Sequence, residues 1–83
     1  MADRVFKEVG GWAVGADEVQ WILYRRRNTK LNIGWVPLSF VSSDRDILAR
    51  CMRDKGVEAD TAVQLLEGLP DTFREWKTLR RAP

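Results

Sequence analysis

The stretch that decides the fold is residues 19–41, which read VQWILYRRRNTKLNIGWVPLSFV. In residues 19–24, both faces of the predicted strand carry apolar side chains, and β-branched and aromatic residues are frequent. This composition is typical of a buried strand. Residues 28–32 favour a turn, because their two asparagines tolerate left-handed backbone geometry. Residues 33–41 alternate again and return as a second strand. We therefore predict a β-hairpin with a basic tip.

The two strands of this hairpin are predicted to take different places in a sheet. Residues 19–27 form a central strand that helices cover on one side. The return strand lies at an edge, because Pro37 has no N–H to donate to a neighbouring strand. Alternation divides the return strand into a helix-facing set, Val36, Leu38 and Phe40, and an open-face set, Ile33, Trp35, Ser39 and Val41.

Helical patterns follow the hairpin. Residues 44–55 carry apolar side chains at helical spacing, with Ser43 as the predicted N-cap and Asp46 as its capping-box partner. Two further helices are predicted over residues 59–67, capped by Asp60, and over residues 72–80, capped by Asp71.

The predicted fold class is α+β, with an antiparallel sheet of about three strands packed on one face by two or three C-terminal helices. Before the hairpin, residues 4–14 predict either one interrupted strand or a tight hairpin at Gly10 and Gly11. The 83 residues are expected to form a single domain, 1–83, with a strand region at 4–41 and a helical region at 43–81.

Composition excludes several classes of function. The chain has no histidine and one cysteine, which excludes a histidine-based catalytic triad, a zinc finger and a disulfide framework within one chain. It carries no phosphate-binding loop, nucleophile elbow or dinucleotide-binding motif. We therefore predict no catalytic residue, no cofactor and no metal ligand, and Cys51 is interpreted as a small core residue.

The net charge of +2 is too small to indicate nucleic acid by itself, but the positive charge is concentrated. Four cations, Arg25, Arg26, Arg27 and Lys30, lie together at the predicted hairpin tip. No apolar run reaches the ~18 residues of a membrane span, and the first residues have no signal-peptide core. We expect a cytoplasmic protein with no membrane partner.

Residues 21–27, WILYRRR, a short polar turn, residues 34–40, GWVPLSF, and the capped helix after them resemble a group of small phage- and prophage-encoded proteins. The resemblance covers about residues 19–52. Proteins of that group mostly have no assigned activity, so the resemblance implies a phage setting but no particular activity. Small phage accessory proteins commonly bind a host or defence protein, and inhibitors of CRISPR effectors are one such class. If phage-encoded, the protein would act in the host cell cytoplasm.

The candidate binding residues are Tyr24, Arg25, Arg27, Lys30 and Trp35. We predict an apolar patch of Tyr24 and Trp35 on the open sheet face, rimmed by the three cations, that binds a protein with an acidic surface. Arg26 points the other way and should matter less. A solvated strand end, with arginines paired locally to Asp17 or Glu18, is the alternative.

Two other functions stay open. Nucleic-acid binding by the basic tip is the less favoured one, because the net charge is small. A homodimer could form through the uncovered sheet face.

A second basic set lies on the last helix and consists of Arg74, Lys77, Arg80 and Arg81. We interpret it as positive charge that is favourable near a helix C-terminus. Trp21 and Trp76 are predicted to be core residues.

Overall fold

Four antiparallel strands form one sheet, and three helices follow them in the chain. The computed structural model describes residues 5–28 and 33–81. The elements are β1 (Val5–Val9), β2 (Trp12–Ala16), β3 (Trp21–Asn28), β4 (Ile33–Val41), α1 (Arg45–Asp54), α2 (Ala59–Leu66) and α3 (Phe73–Arg81). The α+β class is confirmed, with four strands where about three were predicted.

The additional strand comes from a tight hairpin between β1 and β2. Gly10 and Gly11 have φ values of +55° and +90°. A two-residue turn with positive φ at both positions suits the twist of antiparallel strands, and glycine adopts it without a steric penalty. Of the two predicted alternatives for this segment, the tight hairpin is therefore the one that forms.

The strands lie in the order β1-β2-β3-β4, so β3 is interior and β4 is an edge, as predicted. Pro37 is tolerated in β4 because its missing N–H costs nothing on the side that has no neighbour. The pairing of β3 with β4 contains a bulge: Leu23 lies opposite Ser39, whereas Tyr24 lies opposite Pro37. Leu38 is the extra residue in β4.

This bulge corrects the predicted faces of β4. Val41 lies opposite Trp21 on the helix side, and Phe40 lies opposite Ile22 on the open side, where it is 56% exposed. A one-residue slip reverses every side chain beyond it. The predictions for Phe40, Ser39 and Val41 were therefore wrong, while Trp35 lies on the open face as predicted.

The main core lies between the helix side of the sheet and the three helices. Its buried members are Val14, Ala16, Trp21, Leu23, Val41, Leu48, Met52, Val57, Leu65, Leu69 and Phe73. Trp21 is fully buried and meets Phe73 edge to face, with ring centroids 5.6 Å apart. Trp76 is partly buried and stacks on Phe6 of β1 at 5.3 Å. Aromatic contacts thus fasten α3 to the sheet.

The open face of the sheet carries a second, smaller cluster. Ala13, Ile22 and Tyr24 are buried there, and Val5 and Trp35 pack against them. Tyr24 is only 8% exposed. The open face is therefore closed over part of its area by side chains of the same chain.

No helix in the described ranges is long and apolar enough to cross a membrane.

The helix caps differ from the predicted ones. The N-cap of α1 is Asp44, whose carboxylate accepts a hydrogen bond from the Ile47 backbone N–H at 2.9 Å. For α3, the Thr72 hydroxyl accepts from the Glu75 N–H at 3.0 Å, so the predicted cap Asp71 is also displaced by one position. The N-cap of α2 is Glu58, which makes no side-chain bond, and the predicted cap Asp60 lies in the first turn.

Asp44→Ala is expected to lower the free energy of unfolding by about 0.5–2 kcal/mol, because the Ile47 N–H loses its side-chain acceptor. Ser43→Ala is the matched control, since Ser43 is exposed and lies one residue outside the observed cap. Chemical denaturation of both variants measures the difference. Equal losses in the two variants would contradict the cap seen here.

Candidate functional site

The end of the β3–β4 hairpin projects beyond the core. On β3 the last buried residues are Leu23 and Tyr24, and the next three, residues 25–27, are exposed arginines. Polar strand ends of this kind leave the core because their charges cannot be desolvated without a partner. The fourth predicted cation, Lys30, lies outside the described residues.

Arg25 lies on the helix side of the sheet. It is paired with Trp12 on β2 and with Val36 on β4. Its guanidinium carbon is 5.3 Å from the centroid of the Trp12 ring, a cation–π distance. Arg27, two residues further along β3, shares this face by strand alternation. Neither arginine forms an ion pair with a described residue.

Arg26 lies on the open side of the sheet and contacts a different set of residues. Its guanidinium carbon is 5.0 Å from the centroid of the Trp35 ring. Its Nη2 is 3.6 Å from Oε1 of Glu8, which belongs to the β1 edge. Arg26 therefore has both an aromatic platform and a carboxylate partner within the chain.

These positions divide the predicted site between two faces. Tyr24 and Trp35 lie on the open face, whereas Arg25 and Arg27 lie on the helix side. The expectation that Arg25 and Arg27 rim the aromatic patch was wrong, because consecutive strand residues alternate and Arg26 is the one beside Trp35. Burial of Tyr24 also leaves little of it for a partner to touch. The binding role of these residues stays a prediction.

Among the described residues, no ion pair joins Arg25, Arg26 or Arg27 to Asp17 or Glu18. Asp17 follows β2 at the far end of the sheet, since its neighbour Ala16 lies opposite Trp21. Its Oδ1 accepts from the backbone N–H groups of Val19 and Gln20, at 2.8 and 3.0 Å. Glu8 was not singled out from the sequence. No local signal reveals it, because its side chain reaches Arg26 from β1, across the width of β2.

A shallow cleft of about 200 Å³ lies at the hairpin end. Its lining combines the three arginines with two half-buried apolar side chains: Arg25, Arg26, Arg27, Val36 and Leu38. We call this the Arg25 cleft. Val36 lies opposite Arg25 on the helix side of the sheet, the side predicted for it, and together with the bulge residue Leu38 it forms an apolar wall beside exposed cations. Such a surface suits a partner that is anionic and partly apolar.

The basic set on α3 is separate from the Arg25 cleft. None of the described α3 residues lines that cleft, and Arg74 lines another one with Glu75, Thr78 and Leu79. The side chains of Arg80 and Arg81 are not among those described.

Other reactive groups do not gather into a site in the described part of the chain. Cys51 is half-buried and packs against the main core, as predicted for a small core residue. Across residues 5–28 and 33–81, no group of three or more carboxylate or thiol side chains is placed to hold a metal ion.

Comparison with known proteins found no match to this chain among family models, curated proteins or solved structures. Function is therefore inferred from the geometry of the hairpin end.

Glu8→Gln is expected to lower the free energy of unfolding by less than ~1 kcal/mol, because both partners of the Glu8–Arg26 pair are about half exposed and screened by water. The stacking of Arg26 on Trp35 should persist. Thermal melting at low and high salt measures the change. A loss of stability that remains large at high salt would show that the pair has a greater structural role than its exposure suggests.

Proposed function

We propose that this chain is a small non-enzymatic protein that acts by stoichiometric binding to another protein. The observation that supports this best is the exposed end of β3, where Arg25 and Arg27 share one face and have no ion-pair partner among the described residues. Arginine is enriched at protein interfaces, and an unneutralised pair favours an acidic partner surface.

The resemblance of residues 19–52 to small phage-encoded proteins supplies the setting. Accessory proteins of that kind act on a host or defence protein, and inhibition of a CRISPR effector is one form of such action. In this setting the protein works in the cytoplasm of the infected cell and needs no cofactor. Its effect comes from occupying a surface of the target, so it scales with the amount of complex formed.

Nucleic-acid binding is the second candidate, and the three consecutive arginines support it. Two features of the hairpin end favour protein instead. Trp12 and Trp35 each carry a guanidinium over one ring face, which occupies the surface on which a base would stack. Arg26 is partly neutralised by Glu8, which reduces the charge offered to a phosphate backbone.

Capture from a bacterial lysate, with and without nuclease treatment, separates these two candidates. The tagged chain and a variant carrying Arg25→Ala and Arg27→Ala are used as baits, with washes at moderate salt. We expect a protein that the wild-type chain retains in stoichiometric amount and that the variant does not retain. Retention of nucleic acid without protein, abolished by nuclease and by salt, would contradict protein binding.

A homodimer through the open sheet face is the remaining alternative. That face already buries Ala13, Ile22 and Tyr24 within one chain, and Phe40 is its large exposed side chain in the described residues. We therefore expect a monomer in sedimentation at high protein concentration. A dimer that Phe40→Asp dissociates would assign the open face to self-association instead.

A further inference from the structure

The two arginines that lie over tryptophan rings at the hairpin end differ in whether they have a carboxylate partner within the described residues. Arg25 lies over Trp12 and Arg26 lies over Trp35, at 5.3 and 5.0 Å from the ring centroids. A cation–π contact of this kind does not consume the N–H groups of a guanidinium, which can still donate hydrogen bonds. Arg26 directs Nη2 towards Glu8, at 3.6 Å from Oε1, whereas Arg25 faces no carboxylate among the described residues.

Apolar side chains and a second cation lie around Arg25, so the cleft can select a partner by more than its charge. Val36 lies directly opposite it on β4, and Leu38 lines the same cleft. Arg27 adds a second cation on this side of the strand. The Arg25 cleft thus offers a fork of donors and a second positive charge beside an apolar wall.

We propose that the Arg25 cleft receives an aspartate or glutamate side chain of the protein partner, with an apolar partner residue against Val36 and Leu38. This inference rests on the proposed function and names the chemistry of its partner. The Arg26–Glu8 pair displays the same arrangement inside the chain: a tryptophan, a guanidinium stacked on it, and a carboxylate. A phosphate backbone would satisfy the cations but would leave the apolar wall exposed to water.

Preorganisation strengthens the case for a carboxylate at Arg25. An arginine free in solvent loses rotamer freedom when it binds. The contact with Trp12 already restricts the Arg25 side chain, so less of that entropy remains to be lost on binding. Arg25 is therefore the position at which a bidentate carboxylate interaction costs least to form.

The inference is tested by NMR titration of the isotope-labelled full chain with a glutamyl-leucyl-glutamate tripeptide blocked at both ends, at low ionic strength. We expect saturable shifts of the Arg25 side-chain N–H, the Trp12 indole N–H and the methyl groups of Val36 and Leu38. Arg25→Ala should weaken binding by about tenfold or more. Arg74→Ala, matched in charge and outside the cleft, should weaken it by less than ~3-fold.

Three results would overturn the inference: equal shifts with the glutamine analogue of the tripeptide, an equal loss of affinity in Arg74→Ala, or tighter binding of single-stranded oligothymidylate at the same cleft. The last would assign the cleft to phosphate. If the tripeptide binds as expected and no protein is captured from the lysate, the Arg25 cleft is a carboxylate-binding site and the proposed function is wrong. The two failures are therefore distinguishable.

Discussion

Replacing Arg25 and Arg27 together by alanine is expected to weaken binding to the protein partner by at least ~100-fold while leaving the fold intact. Both side chains are exposed and lie beyond the last buried residues of β3. Removing one member of a desolvated charge pair at an interface costs about 2–5 kcal/mol of binding. The decrease in folding stability should be about 1 kcal/mol, most of it from the stacking of Arg25 on Trp12. Calorimetric titration with the captured partner and thermal melting measure the two quantities.

Arg26→Ala is the control for this double variant. It removes the same side chain from the same strand, but from the opposite face, where Arg26 already has Glu8 as an ion-pair partner. We expect a smaller loss of affinity and a similar small change in stability. Unchanged affinity in the double variant would show that the hairpin end is only solvated. A collapsed melting temperature would show that these arginines are structural.

Leu48→Ala is expected to lower the free energy of unfolding by about 2–5 kcal/mol, because it leaves a cavity between α1 and the sheet. Leu48 is fully buried in the main core. A domain of this length has a stability of only about 4–12 kcal/mol, at ~0.05–0.15 kcal/mol per residue. The melting temperature should therefore fall by roughly 10–30 °C. Differential scanning calorimetry measures the shift.

Leu79→Ala makes the matched comparison for Leu48→Ala. It is the same substitution, also within a helix, but Leu79 is 66% exposed. Its effect on stability should stay within ~0.5 kcal/mol. A large loss of stability in Leu79→Ala in the isolated chain would mean that this side chain is covered in solution, for example by a second copy.

Much of the fold could be predicted from local patterns. The hairpin of residues 19–41, its edge position at Pro37 and the order of strands before helices depend on side-chain periodicity and on the geometry of proline, glycine and asparagine. The α1 helix begins within one residue of its predicted cap, since aspartate and serine cap helices for the same reason. Each of these features is encoded by residues close together in the chain.

The candidate site was predicted only in part. The sequence placed exposed cations on one strand, and alternation put Arg25 and Arg27 on one face. It did not show that Trp12 lies beneath Arg25, that Trp35 lies beneath Arg26 or that Glu8 reaches Arg26. Those arrangements depend on which residues lie opposite one another in neighbouring strands.

What the sequence by itself determined is therefore the set of elements, their order and the basic character of the hairpin end. The tertiary structure alone decided which face the β4 side chains after Leu38 take and which cations are left without a carboxylate among the described residues. The pairing of the cations depends on which strands are neighbours in the sheet, and the physical reason for the exchanged faces is the bulge at Leu38. A strand side chain reverses its face with every residue, so one unpaired residue exchanges core and solvent beyond it. Such a bulge is set by pairing between strands, which periodicity within one strand does not encode.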